Sequence, residues 1–132
     1  MKTVLDCNVI ISAGLTDGVC RKVVKNVLDK HINFISDPIL LEYKNVIDRK
    51  KFYNVRNQLF SILEIVCELS EWIQPQNYNI TLPDGDDLIY LNTALTAKVD
   101  YLITGNIKDF PQQQYQAVEI VTPAAFLMHD PK

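Results

Sequence analysis

The stretch TVLDCNVIIS, residues 3–12, decides how the chain is read. It opens as a short apolar strand, breaks on Asp6, and after Cys7 and Asn8 the apolar residues resume at once. The rest of the chain supplies the frame around that charge. Val19, Val23, Val24, Val27 and Leu28 recur at helical spacing, and HINFIS (residues 31–36) reads as a second strand. Asp37 and Pro38 supply an N-cap and a first-turn proline for a helix through about Arg49, and Val55, Leu59, Ile62, Leu63 and Val66 mark the next helix. SEWIQP holds a short strand ending at Pro75. The turn-rich QNYNITLPDGDD then leads to a helix starting near Asp86 or Asp87, with Leu88, Leu91 and Leu95 on its buried stripe. DYLITGN is strand then turn, AVEIVT a last strand, and Thr122-Pro123 begins a closing helix through Phe126 and Leu127.

Strands alternating with helices imply a three-layer α/β/α domain with a mostly parallel central sheet, whose sites lie in the crevice beyond the carboxyl ends of the strands. A charge ending the first strand therefore stands where such folds keep their chemistry. At 132 residues, with no internal repeat and no linker, a single domain is expected over 1–132.

Composition narrows the class. With 48% hydrophobic and 22% charged residues the chain reads as an ordinary globular protein, and a net charge of −3 argues against indiscriminate coating of nucleic acid. Charge is unevenly spread: nine of the 13 basic residues lie between positions 21 and 56 against four acids, leaving −8 on the rest. That asymmetry fits a basic rim beside an acidic site, or a solvated helix face with spare lysines. The 3 cysteines (Cys7, Cys20, Cys67) form no C-x-x-C pair, so neither a disulfide framework nor a zinc knuckle is suggested. Only three uncharged residues separate Lys2 from Asp6, too few for a signal-peptide core, and no apolar run is long enough to cross a bilayer. A soluble, cytoplasmic protein with no membrane partner is expected. The sequon at Asn79 carries no meaning in that compartment.

Four segments set an acid at a strand end or in a helix: Asp6 in LDCN, Glu42 in SDPILLEYKNVIDRKKF, Asp87 in DGDDLIYLNTA and Asp109 in TGNIKDF. Together they resemble the PIN-domain ribonucleases, particularly the VapC-type toxins of bacteria and archaea. The likeness runs from Thr3 to Leu127 and includes the Thr-Gly turn leading to Asp-Phe and the closing IVTPAAFL. It implies a metal-dependent endoribonuclease that hydrolyses phosphodiester bonds of single-stranded or structured RNA, leaving 5'-phosphate and 3'-hydroxyl ends. The family's first three acids carry over onto Asp6, Glu42 and Asp87. Many members have Asp directly after the Thr-Gly pair, where this chain has Asn106, so Asp109 is the candidate for the fourth acidic role.

Carboxylates converging within a few ångströms repel one another, and a divalent cation resolves the conflict. Mg2+, or Mn2+ in its place, prefers oxygen ligands, keeps several waters and takes one or two protein carboxylates. Asp6 and Asp87 are the expected direct ligands, with Glu42 and Asp109 acting through bound water or a second ion. Asn8 holds Asp6 or a metal-bound water by its amide, or simply caps the turn, and Thr104 and Ser12 are outer hydrogen-bonders or simple caps; Asn106 is a neutral acceptor beside them. The resemblance also implies a cognate antitoxin that inserts a segment into the acidic crevice, and a homodimer, for which the helices from Asp37 and from Asp86 or Asp87 offer apolar surface.

Other readings compete. Asp84, Asp86 and Asp100 read as helix-end caps or solvated acids, and DGDD lacks the further ligands of a calcium loop. His31 and His129 stand alone. Trp72, Tyr43, Tyr53 and Phe60 read as core or interface anchors before base-stacking platforms. A phosphatase of the haloacid-dehalogenase type needs a second Asp where Asn8 stands. The remaining alternative is a PIN-fold binding or scaffold module weakened catalytically by Asn106.

Overall fold

Thr3, Val4 and Leu5 are all buried, so β1 (Lys2–Leu5) is covered on both faces, the condition of a central parallel strand between helical layers. The computed structural model describes residues 1–129; residues 130–132, the end of the domain expected over 1–132, lie outside the described residues. β1 pairs in parallel with β2 (Ile32–Ile35) on one side and β4 (Tyr101–Ile103) on the other. β3 (Glu71–Trp72) lies parallel outside β2, and β6 (Val118–Val121) parallel outside β4. The edge strand β5 (Gln114–Tyr115) runs antiparallel to β6, giving the order β3-β2-β1-β4-β6-β5. The mostly parallel sheet and three-layer α/β/α fold are thus as expected. β5 was not anticipated, because two residues are too few to display alternation.

The sequence reading left residues 7–18 without an element, and there the structure has α1 (Cys7–Leu15), which begins directly after Asp6. Its composition is apolar nearly all round, which hides the period; Val9, Ile10 and Ala13 form the buried stripe. The helices that follow are α2 (Val19–Lys30), α3 (Asp37–Ile47), α4 (Arg56–Leu69), α5 (Leu88–Ala97) and α6 (Pro123–His129). Ser36, not Asp37, is the N-cap residue of α3, with Pro38 in its first turn. The helix ends at Ile47, and Lys50–Val55 form a 3-10 turn into α4. α1 packs on α2 and α4, and α6 joins α2, while α5 packs against β1, β2 and β4. α3 bridges between them, touching α1, α4 and α5.

Among the aromatic residues read as anchors, Tyr43 is fully buried and Phe60 half-buried, but Tyr53 and Trp72 are exposed. α5 spends its apolar side chains inside the chain, burying Tyr90, Leu91, Ala94, Leu95 and Ala97. The large apolar side chains left uncovered on helices include Leu41 of α3 and Ile65 and Leu69 of α4. No helix among the described residues is long and apolar enough to cross a membrane.

α1 and α4 meet at Gly14, where an added Cβ would lie 2.7 Å from Leu59 Cδ2 and 3.3 Å from Ile62 Cγ2. Leu59 is itself fully buried and has no room to retreat. Gly14→Val is expected to destabilise the protein by about 1–3 kcal/mol in urea unfolding, as overpacking does. Gly85→Ala, with nothing within 4 Å of the new methyl, stays within about 0.5 kcal/mol.

Candidate metal and phosphodiester site

Strand register brings the first components together. Leu5 pairs with Ile103, so Asp6 and Thr104 leave the carboxyl edge of the sheet side by side. The Asp6 N–H donates to the Ile103 carbonyl at 2.9 Å, and the Thr104 N–H to the Val121 carbonyl at 2.9 Å. Both residues are therefore pinned through the backbone before any side chain contributes. Thr104, wholly buried, donates its hydroxyl to Asp6 Oδ2 at 2.8 Å and accepts the Asn106 N–H at 3.0 Å. Asn8, in the first turn of α1, donates to the same Asp6 oxygen at 3.4 Å and accepts the Gly105 N–H at 2.9 Å. Thr104 and Asn8 thus do both things weighed for them, each accepting a backbone N–H of the turn and each donating to Asp6. Ser12 does not reach this network; its carbonyl accepts from Thr16.

Asp6 is only 5% exposed and precedes α1 as its N-cap residue, yet its carboxylate closes no capping hydrogen bond. Burial pushes its pKa up, the Thr104 hydroxyl and the Cys7 N–H pull it back, and the charge of Asp109 pushes it up again. Asp87 sits at the end of the 3-10 turn Gly85–Asp87, whose start Asp84 caps by accepting the Asp86 N–H at 3.0 Å. Burial raises the Asp87 pKa to about 7, reinforced by the charges of Asp6 and Asp109 and by a hydrogen bond to Asp109 that only protonated Asp87 donates. Asp87 Oδ2 is buried and has no hydrogen-bond partner in the protein. Asp109 in turn accepts from Asn106 Nδ2 at 2.8 Å. Asp6, Asp87 and Asp109, drawn from three distant stretches, therefore share one electrostatic neighbourhood.

Glu42 joins from the side. Tyr43 donates its hydroxyl to the Leu5 carbonyl at the end of β1, which fastens α3 over that strand. The half-buried Glu42 and Asp6 both act on the Cys7 thiol, which burial pushes up to about 12, and on the buried Tyr90 hydroxyl, held well above the phenol range. Tyr90 stands one turn after Asp87, and its buried hydroxyl lies against the Cys7 thiol. Sequence reasoning assigned Cys7 and Tyr43 no place at the site, reading Tyr43 as a core or interface anchor, and passed over Tyr90, for which the spacing from Asp87 is the one signal. Asp100, read as a helix-end acid, accepts the Lys2 N–H at 2.9 Å on the far side of the sheet edge.

The energetics leave this cluster incomplete by itself. Two like charges about 4 Å apart repel by roughly 4 kcal/mol in a partly buried setting, whereas a hydrogen bond to a charged group returns roughly 1.5–3 kcal/mol. Asp6 has its hydrogen bonds; Asp87 Oδ2 has none. Protonation or a cation must supply the balance. Among the described residues no three His, Cys, Asp or Glu side chains gather closely enough to hold a metal by themselves. The donors present are hard oxygens, and Mg2+ needs only one or two protein carboxylates because it retains water, so the pair Asp6 and Asp87 fits such an ion.

The family model for the PIN domain matches residues 2–108, and the chain belongs to the PIN domain family. A chain of the crystal structure of VapBC2 from Rickettsia felis bound to a DNA fragment from their promoter superposes with a TM-score of 0.65 at 20% identity, covering 92% of this chain and 98% of that one. At that identity the likeness establishes the fold. No curated protein matches the chain in sequence.

The raised Asp87 pKa has a consequence for stability. Between the unfolded value near 3.8 and about 7 the folded state binds more protons than the unfolded one, so without divalent ions stability falls as pH rises through this window. Asp87→Asn is expected to flatten that fall and to raise the melting temperature at alkaline pH in EDTA. Added Mn2+ is expected to raise the wild-type melting temperature there more than that of the variant.

Proposed function

We propose that this chain is a Mg2+- or Mn2+-dependent endoribonuclease, acting on single-stranded or structured RNA as the cytoplasmic toxin of a toxin–antitoxin pair. Membership of a family of nucleases supports phosphodiester hydrolysis. The observation that carries the reading is the buried, unpartnered Asp87 Oδ2 facing the charges of Asp6 and Asp109. An acid oxygen left in that state is open to a cation, which supports the reading.

Asp6 and Asp87 would hold the ion, with Glu42 and Asp109 reaching it through water. When bound, the ion activates a water towards phosphorus and offsets charge on the phosphate oxygens. The chain's own groups do the rest. Thr104 and Asn8 fix the rotamer of Asp6, and the Gly105 N–H fixes Asn8. An added Cβ at Gly105 would lie 3.2 Å from Asn8 Oδ1, so a glycine there keeps this approach open. Asn106 orients Asp109 by its amide, acting as a donor where many relatives carry a fourth acid. Glu42 and Asp109 remain available to accept a proton from the attacking water.

The partner supporting the toxin reading is an antitoxin, since the similar fold is that of a VapBC2 structure. A second copy of the chain, forming a homodimer, belongs to the same reading. Leu41 on α3 offers apolar surface for it, and α5 offers little.

Purified protein is expected to cut single-stranded RNA in Mg2+ or Mn2+, to stop in EDTA, and to be inactive as Asp6→Asn or Asp87→Asn. Thr104→Val, which removes the hydroxyl at nearly constant volume, is expected to lower activity roughly 10- to 100-fold. Cleavage unaffected by EDTA overturns the mechanism. Absence of cleavage by a folded, Mn2+-binding protein favours the scaffold module, for which the Asn106–Asp109 hydrogen bond is the specific support. Expression is expected to arrest growth, with release by the small protein encoded next to it; no arrest counts against the toxin reading.

A further inference from the structure

The segment joining α3 to α4 carries a cationic and aromatic surface that the acid site does not use. Arg49, Lys50 and Lys51 are consecutive, exposed and, among the described residues, not ion-paired. Tyr53, in the 3-10 turn that follows, is 66% exposed. Behind it lies Arg56, its guanidinium carbon 5.3 Å from the Tyr53 ring centroid and 5.7 Å from that of Phe60. Asp48 receives one Arg56 nitrogen at 2.8 Å and fixes this stack from below, while Arg56 Nε is buried without a partner. Tyr53, Asn54, Arg56, Asn57 and Phe60 line an open cavity of about 340 Å3.

This is poor design for a core anchor or a solvated face. An exposed ring held rigidly over a guanidinium offers a flat surface at low entropic cost, and two amides beside it present both donors and acceptors to a base edge. The three cations beside it match a backbone of phosphates, which is the combination that binds single strands: charge for the backbone and a ring for the base. The surface starts where α3, the helix that carries Glu42, ends, seven residues beyond that acid, and the charge of Arg49 reaches Cys7 as those of Asp6 and Glu42 do. The excess of cations in this part of the sequence thus has a location.

We propose that residues 49–60 form the platform that binds single-stranded RNA alongside the acid site, with a base stacked on Tyr53 and phosphates held by Arg49, Lys50 and Lys51. The inference rests on the nuclease reading for its substrate, and adds the path that the strand takes away from the cutting point. Phe60 and Arg56 are the support of the stacking ring, and Asn54 and Asn57 read the base edge.

The test is fluorescence anisotropy of a labelled, mixed-sequence single-stranded oligoribonucleotide on the full chain in EDTA, where nothing is cut, with parallel cleavage assays in Mn2+. Tyr53→Ala is expected to weaken binding roughly ten-fold, Tyr53→Phe to retain it, and Lys50→Glu with Lys51→Glu to weaken it and flatten its salt dependence. Lys22→Glu with Lys25→Glu, on α2, is the control for overall charge and is expected to have a smaller effect. In the cleavage assay the platform variants raise KM with kcat largely kept, whereas Asp87→Asn keeps binding and loses kcat. Binding that survives both platform variants, an equal loss with the α2 control, or a change only in oligomeric state by light scattering in Tyr53→Ala overturns the platform. Platform-dependent binding without cleavage leaves the platform standing and overturns the nuclease reading.

Discussion

The structure depends on holding negative charges next to one another in a place that water only partly reaches. Asp6 is buried where β1 ends, the charge of Asp109 acts on it, and those of Asp6 and Asp109 act on Asp87. Strand pairing enforces this convergence. β1 and β4 lie parallel and in register, so their successors, Asp6 and Thr104, emerge together whatever their side chains prefer. A sheet of apolar strands carries that cost easily, since a single fully buried Leu or Ile is worth roughly 1.5–3 kcal/mol and the core holds Val4, Leu5, Leu102, Ile103 and Ile120 around this point.

Around the acids the chain builds a partial remedy from neutral groups. The Thr104 hydroxyl, the Asn8 amide and the Asn106 amide all donate towards carboxylates, and each is itself held by a neighbouring backbone group or oriented by the turn that follows β4. Asn106 shows how one substitution shifts the balance. An acid there would add a fourth like charge; an amide instead donates to Asp109 and steadies it. The remedy stops at Asp87, whose inner oxygen receives no donor. A buried network in which every polar atom finds a partner leaves no place for a ligand; here one acid oxygen is left over.

Opposite charge stands nearby but is kept out of the cluster. Arg56 is committed to Asp48 and to two aromatic rings, and Arg49, Lys50 and Lys51 lie on the exposed turn between α3 and α4. Were one of these cations to reach Asp87, it would fill the position that a metal ion is proposed to take. With acids at the carboxyl edge and cations on the turn beyond α3, charge of the two signs is kept apart, an arrangement that the proposed binding of RNA would use.

The order of elements was legible in the amino-acid sequence because buried parallel strands and amphipathic helices such as α2 and α4 leave periodic patterns that need no knowledge of their neighbours. That Asp6, Asp87 and Asp109 lie close enough for their charges to interact agrees with an acidic cluster expected from their segments and the family's motif. α1 was not legible, because a helix apolar on nearly every side has no period to read, and β5 was too short to have one. Tyr43 was read as a core or interface anchor and Tyr90 was not read at all; only the fold shows that one fastens α3 to the end of β1 and that the other's hydroxyl lies against Cys7. Tyr53 was read as an anchor because a tyrosine in a helix-flanking stretch carries no mark of exposure. The sequence by itself determined which segments are strands and helices and which residue types they carry, since those follow from local stereochemistry and hydrophobic period. Which side chains meet, which oxygen stays without a donor and which ring faces solvent were decided by tertiary structure, because these depend on contacts between residues about 100 positions apart, such as Asp6 and Thr104 with |i−j| of 98.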